Sequence, residues 1–160
     1  MRRLLLGLVA MVPAQAQAQT CGEVLLACTI NGSRQVTVCL SGAEVSYVYG
    51  KPGKPPELAL TAALADGVYA PWNGIGRYMS DSIAFSNAGY AYEVWQSVDK
   101  MAPDAGPVYG VNVMQGDALL KNLTCDAGAE AQPFDILYKA TEAQGLCWDF
   151  ATRGWQETCP

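Results

Sequence analysis

The chain has 160 residues, 51% hydrophobic and 16% charged, with ten Lys and Arg against fifteen Asp and Glu and no histidine. That length suits one domain with a sizeable core, and a formal net charge of −5 argues against nucleic acid or an anionic membrane surface as partner. Without histidine the usual general base at neutral pH is missing, and Ser-His-Asp and Cys-His catalysis are excluded.

Met1-Arg2-Arg3 is a basic head, followed by an apolar run from Leu4 to Val12 and then Pro13-Ala14-Gln15-Ala16-Gln17-Ala18. This pattern predicts a secretory signal peptide over residues 1–18, cleaved after Ala16 or Ala18, with an apolar core too short to span a membrane. Ala18-Gln19-Thr20 lacks the residues a lipid-attachment site needs before Cys21. Removal of Arg2 and Arg3 takes the ten basic residues to eight, against fifteen acidic, for a net of −7. The mature domain, residues 19–160, is therefore expected in the periplasm or outside the cell, with no membrane insertion once the signal is removed. A cationic protein suits its charge.

Six cysteines follow: Cys21, Cys28, Cys39, Cys125, Cys147 and Cys159. An even count behind a signal peptide implies disulfides, with fifteen connectivities open. No C-x-x-C or Cys/His pairing offers a metal site, so no metal or cofactor is expected.

Strands are expected at 23–30 and 35–41 around Asn31-Gly32-Ser33. Val24, Leu26 and Cys28 then face Leu40, Val38 and Val36. Cys39 falls on the other face, which disfavours a Cys28–Cys39 bridge. A third strand spans 44–50, the Lys51-to-Pro56 stretch is an exposed loop because proline lacks a ladder donor, and a fourth strand spans 57–64. Residues 65–80 are the least regular, and their 72–78 loop combines Trp72, Asn73, Arg77 and Tyr78 with Gly74 and Gly76. Aromatic faces, an Arg and permissive glycines are the materials of a contact surface.

From Asp81 to Val98, alternation on either side of Asn87-Ala88-Gly89 predicts a hairpin that pairs Ile83 with Val94 and Phe85 with Tyr92. Its other face is bland except for Trp95, expected under the helix described next, or else a contact residue. The same register puts the carboxylates Asp81 and Glu93 on opposite faces. Strands at 108–114 and 118–125, turning at Gln115-Gly116-Asp117, complete about eight, the pattern of an antiparallel β-sandwich or small barrel. Residues 126–132 form a small-residue linker. Residues 133–144 predict the one C-terminal helix, with Pro133 in its first turn, Phe134, Leu137, Tyr138 and Thr141 near helical spacing, and Gly145 beyond its end. The tail to Pro160 holds Trp148 and Trp155, and a Cys147–Cys159 bridge would close it into a loop.

Phe85-Ser-Asn87-Ala-Gly-Tyr90-Ala-Tyr92-Glu-Val94, with Gly110-Val-Asn-Val113 and Leu123-Thr-Cys125, resembles a group of small exported bacterial β-rich proteins of uncharacterised function. The likeness covers roughly Cys28 to Cys125 and implies export and β structure. A weaker likeness, on Gly74-Ile75-Gly76-Arg77-Tyr78, is to the periplasmic lysozyme inhibitors; the Ser of their Ser-Gly-x-x-Tyr loop and their aromatic-Lys-Gly motif are missing here. The expectation is a non-enzymatic binding module that uses Trp72, Asn73, Arg77, Tyr78 and Trp95, in its most specific form an inhibitor of a cationic cell-wall hydrolase such as lysozyme. A carboxylate-dependent glycan hydrolase and a structural envelope-assembly domain are the alternatives.

Overall fold

Apolar residues recur at every second position through most of the chain, and in the computed structural model this period lays out two antiparallel sheets with their apolar rows face to face. The structure describes residues 21–159; the expected signal peptide and its cleavage positions lie outside them. The protein is mainly β. Eight strands of six residues or more form its body: β1 (Glu23–Ile30), β2 (Arg34–Ser41), β3 (Glu44–Gly50), β4 (Leu58–Ala63), β6 (Tyr78–Asn87), β7 (Tyr90–Asp99), β8 (Val108–Gln115) and β9 (Ala118–Thr124). Four short ones join them: β5 (Tyr69–Ala70), β10 (Glu130–Ala131), β11 (Cys147–Asp149) and β12 (Gly154–Gln156). The first sheet runs β10-β1-β2-β3-β4 and the second β5-β6-β7-β8-β9, so each long strand lies beside its neighbour in sequence.

The β6–β7 hairpin pairs Ile83 with Val94 and Phe85 with Tyr92, as alternation predicts. Its two-residue turn has positive φ at both Ala88 (50°) and Gly89 (82°). Two left-handed residues give the turn a twist that matches the flanking strands. Ile83, Phe85, Val94 and Val111 from the second sheet meet Val36, Val38, Val45 and Tyr47 from the first, all essentially removed from solvent. Each such side chain stabilises the fold by about 1.5–3 kcal/mol through burial. Tyr47 bridges the layers, its ring centroid 5.6 Å from Phe85 and 6.0 Å from Tyr92.

The disulfides join Cys21 to Cys39, Cys28 to Cys125 and Cys147 to Cys159. The expected tail bridge is present, and Cys28 and Cys39 have separate partners. Cys28–Cys125 connects β1 to the residue that follows β9, and so ties the two sheets together.

Several local expectations need correction. A bulge between Val24 and Leu26 shifts the first hairpin, so that Val24 lies opposite Cys39 rather than Leu40. Tyr78 opens β6 instead of ending a loop. Residues 126–132 are more than a linker: β10 pairs with β1, and Gln132 N donates to Leu25 O at 3.0 Å. The helix α1 covers Ile136–Glu142, shorter than 133–144. At its start the Phe134 N–H is drawn to the Gln96 side chain at 3.3 Å. At its end the Gln144 and Gly145 N–H groups bond only three residues back. Phe134, Leu137 and Thr141 are buried as their spacing requires, and Gly145 (φ 86°) ends the turn.

Candidate functional site

The inner face of β6 and β7 runs past the two-sheet core. Beyond Ile83 and Val94 it continues through Asp81 opposite Gln96 and Met79 opposite Val98. There α1 and the tail take over from the first sheet and leave a cavity of about 440 Å³. Its walls are mostly apolar: Pro71, Trp72, Met79, Val98, Tyr138 and Phe150. Two carboxylates line it, Asp81 and Asp135.

Asp81 is held by three donors. Tyr69 donates its hydroxyl to Oδ2 at 3.0 Å, the Trp72 backbone N–H reaches Oδ1 at 3.0 Å, and Gln96 Nε2 reaches Oδ2 at 3.4 Å. Gln96 in turn accepts from Phe134 N, so one amide couples the carboxylate to the start of the helix. Burial, and then the Asp81 charge beside it, raises the Tyr69 phenol above its ordinary range, so this hydroxyl stays a donor. Asp135 is exposed, and its side chain makes no capping bond to the helix it precedes. The site therefore has a fixed anionic floor and a second, unengaged carboxylate.

The tail closes one side. Trp155 donates its indole N–H to Tyr69 O and packs 5.2 Å, centroid to centroid, from Tyr138. Trp148 lies opposite Trp155 in the β11–β12 hairpin, with ring centroids 5.5 Å apart. A hollow of about 480 Å³ lies inside this tail, lined by Trp148, Asp149 and Phe150 among others. The Asp149 carboxylate there is occupied by Ala151 N, the Thr152 hydroxyl and Gln156 Nε2. These bonds, the Ala151 N–H first, hold it below the usual carboxylate range. The tail hollow thus lacks the available charge of the Asp81 site.

The residues singled out from sequence are only partly brought together. Trp72 lines the 440 Å³ cavity and also a second one of about 320 Å³, shared with Asn73, Ile75, Tyr78, Trp148 and Arg153. Lys100 Nζ lies 4.7 Å from the Trp72 ring centroid, a cation–π contact. Asn73 Oδ1 accepts from Ile75 N at 3.0 Å and tightens the loop that Gly74 (φ 81°) and Gly76 (φ 96°) turn. Arg77 is committed elsewhere: Nε meets Asp99 Oδ1 at 2.7 Å, Nη2 meets Oδ2, and the guanidinium lies over Tyr78. That bidentate bond raises Arg77 and lowers Asp99 from their ordinary values. Arg77 braces the loop.

Trp95 is not under the helix. Helix α1 sits on the Gln96 face, and Trp95, one residue away, points out of the opposite face of the second sheet. Glu93 lies on that outer face too, with its Oε2 bonded by Asn112 Nδ2 at 2.9 Å, so the sheet separates it from Asp81. Tyr69, Met79, Gln96, Asp135 and Phe150 were not singled out in the sequence, and Tyr138 was read only as part of the helix face. The one local signal was the register itself, which sets polar Asp81 against polar Gln96 at the end of an apolar row. Among the described residues no helix is long and apolar enough to cross a membrane. No family model matches the chain, no curated protein matches it, and no solved structure matches its fold.

Proposed function

We propose that this chain is an exported, non-enzymatic binding module of the bacterial periplasm, whose cavity behind Trp72 receives a cationic side chain of a partner protein. The cavity carries the reading: apolar walls suit a long aliphatic stem, while Asp81 and Asp135 suit a positive head. Three disulfides and a signal-like head support export. The acidic chain would also steer a basic partner towards it. In its most specific form the module inhibits a cationic cell-wall hydrolase such as lysozyme.

The test mixes the mature protein with lysozyme and follows both capture and lysis of bacterial cell walls. Inhibition that is lost in Asp81→Asn and Trp72→Ala supports the reading. Capture with unchanged lysis sinks the inhibitor version and favours an envelope-assembly role. Release of sugar from glycans by the protein alone, abolished in Asp81→Ala or Glu93→Ala, would establish the hydrolase instead.

A further inference from the structure

The outer face of the second sheet carries a separate arrangement. Trp95 lies directly opposite Gly110. A Cβ at Gly110 would fall 2.7 Å from Trp95 Cε2, and closer still to Cζ2, so the indole occupies the space that a side chain at 110 would fill. Glycine in mid-strand weakens a sheet, and here it lets the indole settle onto the backbone. Packing alone would be served by phenylalanine, whereas Trp95 leaves its Nε1 buried and without a hydrogen-bond partner. What tryptophan adds is a wider aromatic surface.

Two residues along β7 from that ring, about 7 Å away at ordinary strand rise, a polar row crosses three strands. Asn122 Nδ2 donates to Asn112 Oδ1 at 2.7 Å, and Asn112 Nδ2 donates to Glu93 Oε2 at 2.9 Å. Both amides point the same way, so the row ends on a carboxylate whose orientation is fixed. Glu93 is in none of the ion pairs among the described residues, and its Oε1 is left to accept. On the other side of the ring Ser80 and Ser97 bond to each other at 2.9 Å. A hollow of about 350 Å³ lies between these groups, lined by Ser82, Glu93, Trp95, Ser97 and Asn112 among others.

We infer that this face binds a neutral glycan built of β-linked pyranose units. The axial C–H face of one sugar stacks on Trp95, and its hydroxyls donate to Glu93 Oε1 and exchange hydrogen bonds with Asn112 and Asn122. A flat ring with an apolar face and a polar rim matches an aromatic platform edged by planar amide and carboxylate groups. Glu93 disfavours an anionic polymer on the same face.

The probes are cellohexaose and N-acetylchitohexaose, each titrated into the full mature protein. Amide spectra of the wild type should shift at Glu93, Trp95, Asn112 and Asn122 and stay still around Trp72. Trp95→Ala should weaken binding by about tenfold or more. Glu93→Gln, which keeps the platform, should weaken it by a smaller factor, so the inference stays testable if the alanine variant folds poorly. Absence of binding to both hexasaccharides at millimolar concentration overturns it. So do full affinity in a folded Trp95→Ala protein and shifts confined to the Trp72 cavity.

Discussion

The three disulfides close very different lengths of chain, and that difference ranks their effects on stability. Cys28 and Cys125 are 97 residues apart, Cys21 and Cys39 18, and Cys147 and Cys159 12. Loop-closure entropy then gives about 4.7 kcal/mol for the first, about 3.2 for the second and about 2.8 for the third. The first two loops interleave, but neither bridge shortens the other's path through the chain by much, so the values stand close to independent. Cys28 is 4% exposed, and alanine there adds about 1 kcal/mol for the lost packing. Replacing Cys28 and Cys125 together by alanine should therefore remove about 5–6 kcal/mol, a large share of a typical domain's stability. Urea unfolding followed by tryptophan fluorescence reads this directly, with the m-value rising as the unfolded chain gains freedom. The Cys147→Ala/Cys159→Ala protein should stay folded, with its midpoint lowered least. Equal or greater loss from that pair than from the sheet-joining pair would refute the entropic ranking.

Other expectations follow from single contacts. Gly110→Ala forces a methyl to within 2.5 Å of Leu123 O and against the Trp95 ring, and should destabilise by about 1–3 kcal/mol in thermal melts. Tyr69→Phe removes a hydrogen bond to the Asp81 carboxylate, a loss of about 1.5–3 kcal/mol by the same measurement. Leu137→Ala empties a fully buried site beneath α1 and should cost about 2–5 kcal/mol in urea unfolding. Arg77 holds Asp99 below its ordinary value, so on acidification the unfolded chain takes up that proton first. The contribution is complete above about pH 4 and is lost as pH falls through the folded value. Amide protection across residues 72–77, taken relative to the intrinsic exchange rate at each pH, should fall in that acid range, and Asp99→Asn should flatten the response.

The β6–β7 hairpin was legible because its signal is local: alternation names the faces, and Ala88-Gly89 fixes the register. The cavity was not, because Tyr69, Asp81, Gln96, Asp135 and Phe150 meet only after the second sheet, the helix and the tail have assembled. Sequence spacing holds no trace of such a meeting. The side of the sheet that the helix covers shows the same limit. Amphipathicity says that α1 covers something, but the side it covers is the one where Phe134 and Leu137 are buried and Phe134 N meets Gln96, 38 residues away. Likewise the β11–β12 hairpin has two three-residue strands, too short for alternation to register, and it is held by Trp155 on Tyr69.

The pairing of β1 with β10 has a consequence in time. Sheet β1-β2-β3-β4 can form as soon as its own residues are free to fold, since each strand pairs with the next in sequence. Its β1 edge then waits, with unpaired main-chain groups, until Glu130 and Ala131 arrive some hundred residues later. Cys28 waits for Cys125 over the same interval, with its thiol unpaired. The folding chain is thus most open to mispairing with another copy during this delay, and the strand that ends it is two residues long.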